Sequence, residues 1–481
     1  GRSIIAAADA VRAGRADEQR AAIVAALRQP LAIVTGGPGT GKTSVIAGLL
    51  RAAEAIGIGA GDVALAAPTG KAAQRITESL IANESLIANE SLIANESRHG
   101  AASVPQAQTL HRLLGYEPAR GAFRHHRHYP LPHRLVVVDE CSMIDLFLME
   151  RLLGAVAEGA RLVLLGDADQ LPSVDAGAVF RDLAPWAVKL TRNFRADPAT
   201  PAGRSIIAAA DAVRAGRADE QVFGAFAARP AAAQLAFAGV ELLAPPGRKP
   251  SAALDDFLDR WQARAADDGS AHAGLPHKIY AFHGGQVDAD DARDLAALHA
   301  ARHDRRILCV TRGAARPTGA EAINAALHRR ATRGSARPAD APVAVGEPLL
   351  MSRNDYQRGL YNGDLAVCVR ARFDAGPPTL AAAFPRGGTF VAWPLTTLAG
   401  DIVLAHALTV HRAQGSEVDA VALILPDDDL PLLTRELVYT ALTRARRSAI
   451  IVGSPALLRQ SIARQIDRAS GLASRLGGAS P

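Results

Sequence analysis

The chain has 481 residues, 49% hydrophobic and 21% charged, a balance that excludes a disordered or fibrous polypeptide and leaves room for about three domains. Its 54 Lys and Arg against 48 Asp and Glu give +6 at pH 7, a mild excess that favours a polyanionic partner. Cys141, Cys309 and Cys368 form no CxxC pair, so no disulfide framework or zinc site is indicated, and the absence of a long apolar run or apolar leader reads as a cytoplasmic protein with no membrane partner.

The segment Gly1 to Gln19 returns letter for letter at Gly203 to Gln221, and its spacing of Ile, Ala and Val predicts an amphipathic helix at either place. Leu31 to Thr35 is an apolar, β-rich run, and directly after it stands Gly36-Gly37-Pro38-Gly39-Thr40-Gly41-Lys42-Thr43, followed by the helical stretch SVIAGLL. Strand, loop and helix in that order make a P-loop. Its glycines let backbone N–H groups wrap phosphates, Lys42 meets the β and γ charges of ATP, and the Thr43 hydroxyl can ligate Mg2+. The competing reading, a Gly-rich turn that happens to end in Lys-Thr, leaves the flanking strand and helix unexplained.

Val63 to Ala67 predicts the next strand. The unit ESLIAN then occurs three times from Glu78 to Asn95, too short for a solenoid and read as a helical or loop expansion. Leu135 to Asp139 predicts a buried strand ending in Asp139-Glu140, where an acid can hold Mg2+ (Asp139) and its neighbour can orient and deprotonate the attacking water (Glu140). The bland alternative is an exposed acidic turn. Arg161 to Gly166 predicts a further strand, and Gln170 just beyond it can touch the γ-phosphate or its water; the bland alternative is an ordinary loop amide. Arg124-His125-His126-Arg127-His128-Tyr129 is dense in histidine but has no carboxylate or Cys to complete a ligand set, so a basic, DNA-proximal loop ranks ahead of a metal site and a merely solvated surface loop is the commonest alternative.

A second set of strands is expected at Arg306 to Thr311, Val421 to Leu425 and Ala449 to Gly453. Between them lies a Val-, Gly- and Pro-rich stretch with turns at Tyr361-Asn362-Gly363-Asp364 and Pro385-Arg386-Gly387-Gly388, the pattern of a small β insertion. Segments near Pro198 to Gly203 and Pro245 to Pro250 read as linkers or loops.

Together with the P-loop, APTGKAAQRITES (Ala67 to Ser79), QTLHRLLG (Gln108 to Gly115), VVVDECSMID (Val136 to Asp145) and GDADQLPSVDAGAVF (Gly166 to Phe180) resemble the RecD family, the alpha subunit of exodeoxyribonuclease V within superfamily 1 helicases. LTRNFR (Leu190 to Arg195), NDYQRGLYNGD (Asn354 to Asp364), TVHRAQGSE (Thr409 to Glu417) and VYTALTRAR (Val438 to Arg446) continue the resemblance in the family's order. It departs from the pattern at Cys141, where the family has Ala, and the P-loop begins at Gly36 where full-length relatives carry an N-terminal domain that docks on the gamma subunit, so either the chain is truncated or it belongs to a shortened branch.

The resemblance implies an α/β fold of two tandem RecA-like domains with parallel sheets, ATP bound between them, and an SH3-like β insertion in the second. The expected division is an N-terminal helical segment at 1–22, a first domain at 23–202 with a small insertion near 109–133, a second domain at 203–340 and 403–468 interrupted by the insertion at 341–402, and a flexible tail at 469–481. It implies roles for further residues. Gln19 reads adenine; Arg195 and Arg444 are arginine fingers on the γ-phosphate; Thr69, Lys71, Thr109 and His111 grip DNA phosphates in the first domain, and Thr409, His411, Gln414 and Ser416 do so in the second. The activity implied is ATP-dependent 5′-to-3′ translocation on single-stranded DNA from duplex ends, in a heterotrimer with RecB-like beta and RecC-like gamma subunits that carries out double-strand-break repair. No nuclease constellation is visible, so exonuclease activity belongs to a partner chain. A freestanding 5′-to-3′ helicase and a non-catalytic scaffold that binds nucleotide and DNA remain as alternatives.

Overall fold

Strands that are apolar at every position belong in a parallel sheet covered on both faces. The computed structural model describes residues 17–93, 105–192, 198–218, 226–244, 249–268, 274–333, 342–355, 357–468, 470–472 and 475, and the chain divides into two units, 1–195 with 467–481, and 196–466.

The first unit carries β1 (Leu31–Gly36), β2 (Val63–Ala67), β3 (Gln108–Thr109), a small hairpin of β4 (Tyr116–Glu117) and β5 (Ala122–Phe123), β6 (Leu135–Val138), β7 (Arg161–Gly166) and β8 (Val188–Leu190). Except for the hairpin these form one parallel sheet in the order β3-β2-β6-β7-β1-β8. Alternation sorts the side chains. Val137, Val163 and Leu165 join Ile23, Ile46, Leu49 and Leu80 in one cluster, whereas Val136, Val138, Leu162 and Leu164 join Leu148, Leu152 and Phe180 in another, the expected result of side chains pointing to opposite faces at successive positions. Helix Gly70–Ile93 runs through the first two ESLIAN copies and into the third, so that repeat lengthens a helix.

The second unit carries β9 (Ala227–Arg229), β10 (Gly239–Leu243), β11 (Ile279–His283), β12 (Gln286–Val287), β13 (Arg305–Cys309), β14 (Pro348–Met351), β15 (Leu365–Phe373), β16 (Thr379–Arg386), β17 (Thr389–Pro394), β18 (Ile402–Leu404), β19 (Ala407–Thr409), β20 (Val418–Ile424) and β21 (Ala445–Val452). A second parallel sheet runs β19-β13-β20-β21-β10-β9. The fold is thus α/β with two tandem RecA-like sheets. The remaining strands form a mixed sheet, β12-β11-β15-β14-β18, with β16 between β15 and β17. This β-rich part is not confined to 341–402. β11 pairs parallel with β15, because Tyr280 and Phe282 bury their rings with Val367, Val369 and Ala371, against Leu295 and Leu298 of helix Ala289–His303.

Two other segments differ from the sequence expectation. Pro198 to Gly203, read as a linker, opens helix Pro201–Arg214: Thr200 caps it by accepting from Gly203 N at 3.1 Å and Pro201 stands at the first helical position, where its missing N–H costs nothing. The second copy of the 19-residue repeat is therefore built into the second unit through Ile206, Ala209, Ala212 and Val213. Of the first copy, residues 1–16 lie outside the described residues, and Asp17 to Gln19 open helix Asp17–Arg28; the expected segment at 1–22 thus ends inside a helix. Among the described residues no helix is long and apolar enough to cross a membrane.

A buried carboxylate ties the two sheets of the second unit together. Glu347, 2% exposed, accepts from His328 Nδ1 at 2.9 Å, His406 Nε2 at 3.1 Å and Ala344 N at 2.6 Å. Burial alone pushes this carboxyl up, but the bonds from His406, Ala344 and His328 outweigh it and hold it below its ordinary value. A depressed carboxyl stabilises the fold above its unfolded pKa and loses that contribution as pH falls through the folded value. Glu347→Ala is expected to cost about 3 kcal/mol at pH 7, measured by urea unfolding, with the gap to the wild type closing below about pH 4.

Candidate nucleotide-binding site

Strand β7 lies between β1 and β6, so the loops leaving the carboxyl ends of all three open along one sheet edge, where open parallel sheets bind ligands. The loop after β1 is the P-loop. Gly39 and Gly41 have φ of 81° and 85°, left-handed values that a side chain resists and that turn successive N–H groups the same way. Gly36 has no room for a Cβ, which would lie 2.5 Å from Thr40 Oγ1 and 2.8 Å from Leu190 Cβ. Helix Lys42–Ala55 starts at the loop's end and directs its positive dipole end there. Lys42 Nζ donates to Gly36 O at 2.6 Å and Gly37 O at 3.2 Å, so the loop's own carbonyls hold the ammonium over the cradle.

After β6, Asp139 N donates to Ala66 O at 3.0 Å, which continues the ladder, and Glu140 N donates to Asp139 Oδ1 at 2.8 Å. Glu140 takes a left-handed φ of 56°, a strained choice for a non-Gly residue that swings its side chain away from the strand line. Asp139 is nearly buried, and burial, reinforced by the neighbouring Glu140 charge and opposed by Lys42, pushes its carboxyl up to about 6. Cys141 is buried with its Sγ donating to Val138 O at 3.2 Å, and burial raises its thiol well above the ordinary value.

After β7, Gln170 is 4% exposed. Its Nε2 donates to Asp167 Oδ2 at 2.9 Å, which leaves Oε1 buried with no hydrogen-bond partner, a cost the fold accepts where a ligand or its water can supply the donor. Asp167 was not among the residues singled out from sequence. Its Oδ1 also accepts from Asp169 N at 3.1 Å, and Thr35 of β1 accepts from Ala168 N at 3.2 Å, joining the Gln170 loop to the P-loop strand. The signal for Asp167 is its place: like Asp139, it is the first acid past a buried strand. These groups fit a magnesium-bound nucleoside triphosphate: a cationic N–H cradle, a carboxylate pair, and a buried acceptor lacking its donor.

The remaining sequence-selected residues divide by position. Gln19 is buried with its Nε2 3.5 Å from Thr40 O, so it adjoins the P-loop. Thr69, Thr109 and Thr409 all follow or end a parallel strand, and each side chain caps the next turn, accepting from Ala72 N at 3.2 Å, Arg112 N at 3.3 Å and Arg412 N at 3.4 Å; Lys71 starts the second residue of the helix that Thr69 caps. His111 packs against Tyr116 and Phe123, with ring centroids 5.3 and 5.8 Å away, and desolvation lowers its pKa against the opposing pull of Asp145. His411 lies in the turn after β19; Gln414 is buried just beyond it, and Ser416 Oγ donates to Ala413 O at 2.6 Å. Arg444, almost fully buried, donates to Thr440 O at 3.1 Å and Ser416 O at 3.3 Å. Arg195 lies outside the described residues. In the histidine-rich segment His126 Nδ1 accepts from His128 N at 3.2 Å, and His125 Nδ1 faces the carbonyls of Tyr129 and Pro130; among the described residues no group of three or more His, Cys, Asp or Glu is arranged to hold a metal.

A P-loop and an acidic strand end on one parallel sheet are the build of a P-loop nucleoside triphosphatase, and a second parallel sheet in the same chain narrows the class to the two-domain helicase motors. Residues 19–176 match the AAA domain family and residues 404–452 the UvrD-like helicase C-terminal domain. The RecBCD enzyme subunit RecD of Mycobacterium tuberculosis is 39% identical over 468 residues, covering 96% of this chain and 73% of that protein. The ATP-dependent RecD2 DNA helicase of Deinococcus radiodurans is 31% identical over 460 residues, covering 94% of this chain and 51% of that protein. The solved structure of Pif1 helicase from Candida albicans aligns with 97% of this chain and 99% of its own at 16% identity and a TM-score of 0.48, too loose a likeness to bear on function. This chain belongs to the RecD family.

Proposed function

We propose that this chain is an ATP-dependent 5′-to-3′ DNA helicase, the motor subunit of a RecBCD-type helicase-nuclease. The observation that carries the reading is the 39% identity with a RecBCD subunit RecD over 96% of this chain, taken with a P-loop and an acidic strand end on one parallel sheet. Lys42 binds the β- and γ-phosphates and the P-loop N–H groups wrap them. Thr43 and Asp139 are the residues to hold Mg2+, which when bound neutralises phosphate charge. Glu140 takes the proton of the attacking water, and Gln170 orients that water through its unpartnered Oε1. Arg195 and Arg444 supply the cations for transition-state charge, Arg444 after leaving the carbonyls that hold it. Gln19 reads the adenine. Thr69, Lys71, Thr109, His111, Thr409, His411, Gln414 and Ser416 are the proposed contacts to single-stranded DNA; for the three threonines that role is added to helix capping, which fixes each hydroxyl at a strand end. Phosphate contacts of this kind are sequence-independent, as a motor that must pass over any sequence requires. RecB-like and RecC-like chains are the proposed partners.

The freestanding alternative draws on the likeness to the Deinococcus RecD2 helicase. Unwinding of duplexes with a 5′ or a 3′ single-stranded tail, by the chain alone and with beta and gamma subunits added, tests both. Unwinding only from the 5′ tail is the expected result, and preference for the 3′ tail would overturn the polarity. Robust unwinding by the chain alone would favour the freestanding reading. If DNA fails to stimulate ATP hydrolysis even with the partners present, the motor reading falls to the scaffold.

A further inference from the structure

The chain leaves the second unit after Ile466, and the residues that follow belong to the first. Among the described residues, Arg468, Ser470 and Leu472 dock on the loop that carries Gln170 and the helix after it. Arg468 Nη1 donates to the carbonyl of Ser173 and, at 2.8 Å, to that of Asp175. Ser470 Oγ donates to the Asp182 carboxylate in helix Val179–Leu183, and Leu472 N donates to Ser470 Oγ at 3.1 Å. The Leu472 side chain packs on the cluster that contains Val179, Phe180 and Leu183. Inside the loop Ser173 Oγ donates to the carbonyls of Asp175 at 3.1 Å and Gly177 at 3.4 Å, so the guanidinium of Arg468 reinforces a turn that already closes on itself.

Ser173 is three residues past Gln170, with buried Leu171 and the fixed φ of Pro172 between them. Little slack remains in that stretch, so where the Ser173 carbonyl is held, the Gln170 side chain is aimed. Asp167 fixes the amide from the strand side through Nε2; Arg468 fixes the backbone from the other. We infer that Arg468, with Ser470 and Leu472 beside it, forms a positioning element for ATP hydrolysis, Arg468 being the positioning residue that keeps Gln170 Oε1 directed at the attacking water. The competing view is that the segment only glues its loop to the domain, in which case its loss would lower stability and leave the chemistry alone. The two separate because a misaimed water-orienting group lowers kcat without changing how ATP is bound, whereas a loosened domain weakens ATP binding and turnover together.

The inference rests on the assignment of Gln170 above. The test is steady-state, DNA-stimulated ATP hydrolysis by the full chain, with beta and gamma partners if turnover needs them, for Arg468→Ala, Arg468→Lys, Gln170→Ala and the Arg468→Ala/Gln170→Ala double variant. Arg468→Ala should lower kcat roughly tenfold and leave KM for ATP within about twofold of the wild type. Lys, which can still donate to both carbonyls, should recover most of the rate. In the Gln170→Ala background Arg468→Ala should add no further loss, since a residue that acts through another is silent once the other is gone. An unchanged kcat in Arg468→Ala, or a loss that multiplies fully with that of Gln170→Ala, would overturn the proposal. Should Arg468→Ala fail to fold, Ser470→Ala gives the same comparison with a smaller loss. If Gln170→Ala itself turns over at the wild-type rate, it is the assignment of Gln170 that fails.

Discussion

Replacing Lys42 by alanine is expected to lower ATP turnover by about a hundredfold to a thousandfold, the scale on which an enzyme loses one preorganised donor aimed at developing charge. The ammonium rests on the carbonyls of Gly36 and Gly37, at the mouth of a loop whose other donors, backbone N–H groups and the Thr40 and Thr43 hydroxyls, carry no charge. It is the side-chain charge of the Gly36–Thr43 loop, and alanine removes it without touching the loop's left-handed glycines. Because Lys42 lies at the first turn of its helix, where alanine is a good helix former, the fold should be unaffected and the melting temperature close to that of the wild type. Lys42→Arg should rescue little: the planar guanidinium is bulkier and makes its bonds in a fixed fork. Single-turnover and steady-state hydrolysis with saturating single-stranded DNA measure the effect; a variant retaining more than a tenth of the wild-type rate would contradict the role given to Lys42.

Asp139→Asn should also abolish turnover, while making the nucleotide-free protein more stable. Burial and the Glu140 charge push the Asp139 carboxyl from 3.8 to about 6, so the folded chain binds that proton more tightly than the unfolded chain does. The sign follows from linkage: below the unfolded value there is no penalty, it accumulates as pH rises toward 6, and above 6 the folded state carries all of it, on the order of 2–3 kcal/mol. Asparagine has no charge to bury and its Oδ1 can still accept from Glu140 N. Urea unfolding in magnesium-free buffer should therefore show Asp139→Asn ahead of the wild type at pH 7.5 and nearly level with it at pH 4. A variant no more stable at pH 7.5 would show that Asp139 is not paying for its position. An acid that costs stability in exchange for its chemistry is a common bargain at active sites.

The P-loop, the acids after β6 and the glutamine after β7 were legible because each follows a short run that is apolar at every position. Such runs belong to strands buried on both faces, and a polar residue at the end of one lies at the ligand edge wherever the strand falls in the sheet. For the same reason the parallel strands at Leu31, Val63, Leu135 and Arg161 were found, while the short β3, β8, β9 and β19 were not: two or three residues cannot display a period. The extent of the β-rich part was misjudged because β11 is separated from its partner β15 by two helices, a strand of the other sheet and more than eighty residues of sequence, and nothing in IYAFH says which sheet it will join.

By itself, then, the amino-acid sequence determined which residue types stand at the ends of β1, β6 and β7, since the phosphate binding and water activation proposed for them need those types in a local order that the chain writes out directly. Only the tertiary structure decided what holds those groups. That Asp167 turns the amide of Gln170, that Thr35 ties its loop to the P-loop strand, and that Arg468 reaches the same loop from nearly three hundred residues further along are contacts of high sequence separation. Such contacts are set by how buried strands order themselves to cover apolar surface, and no local pattern of side chains encodes that order.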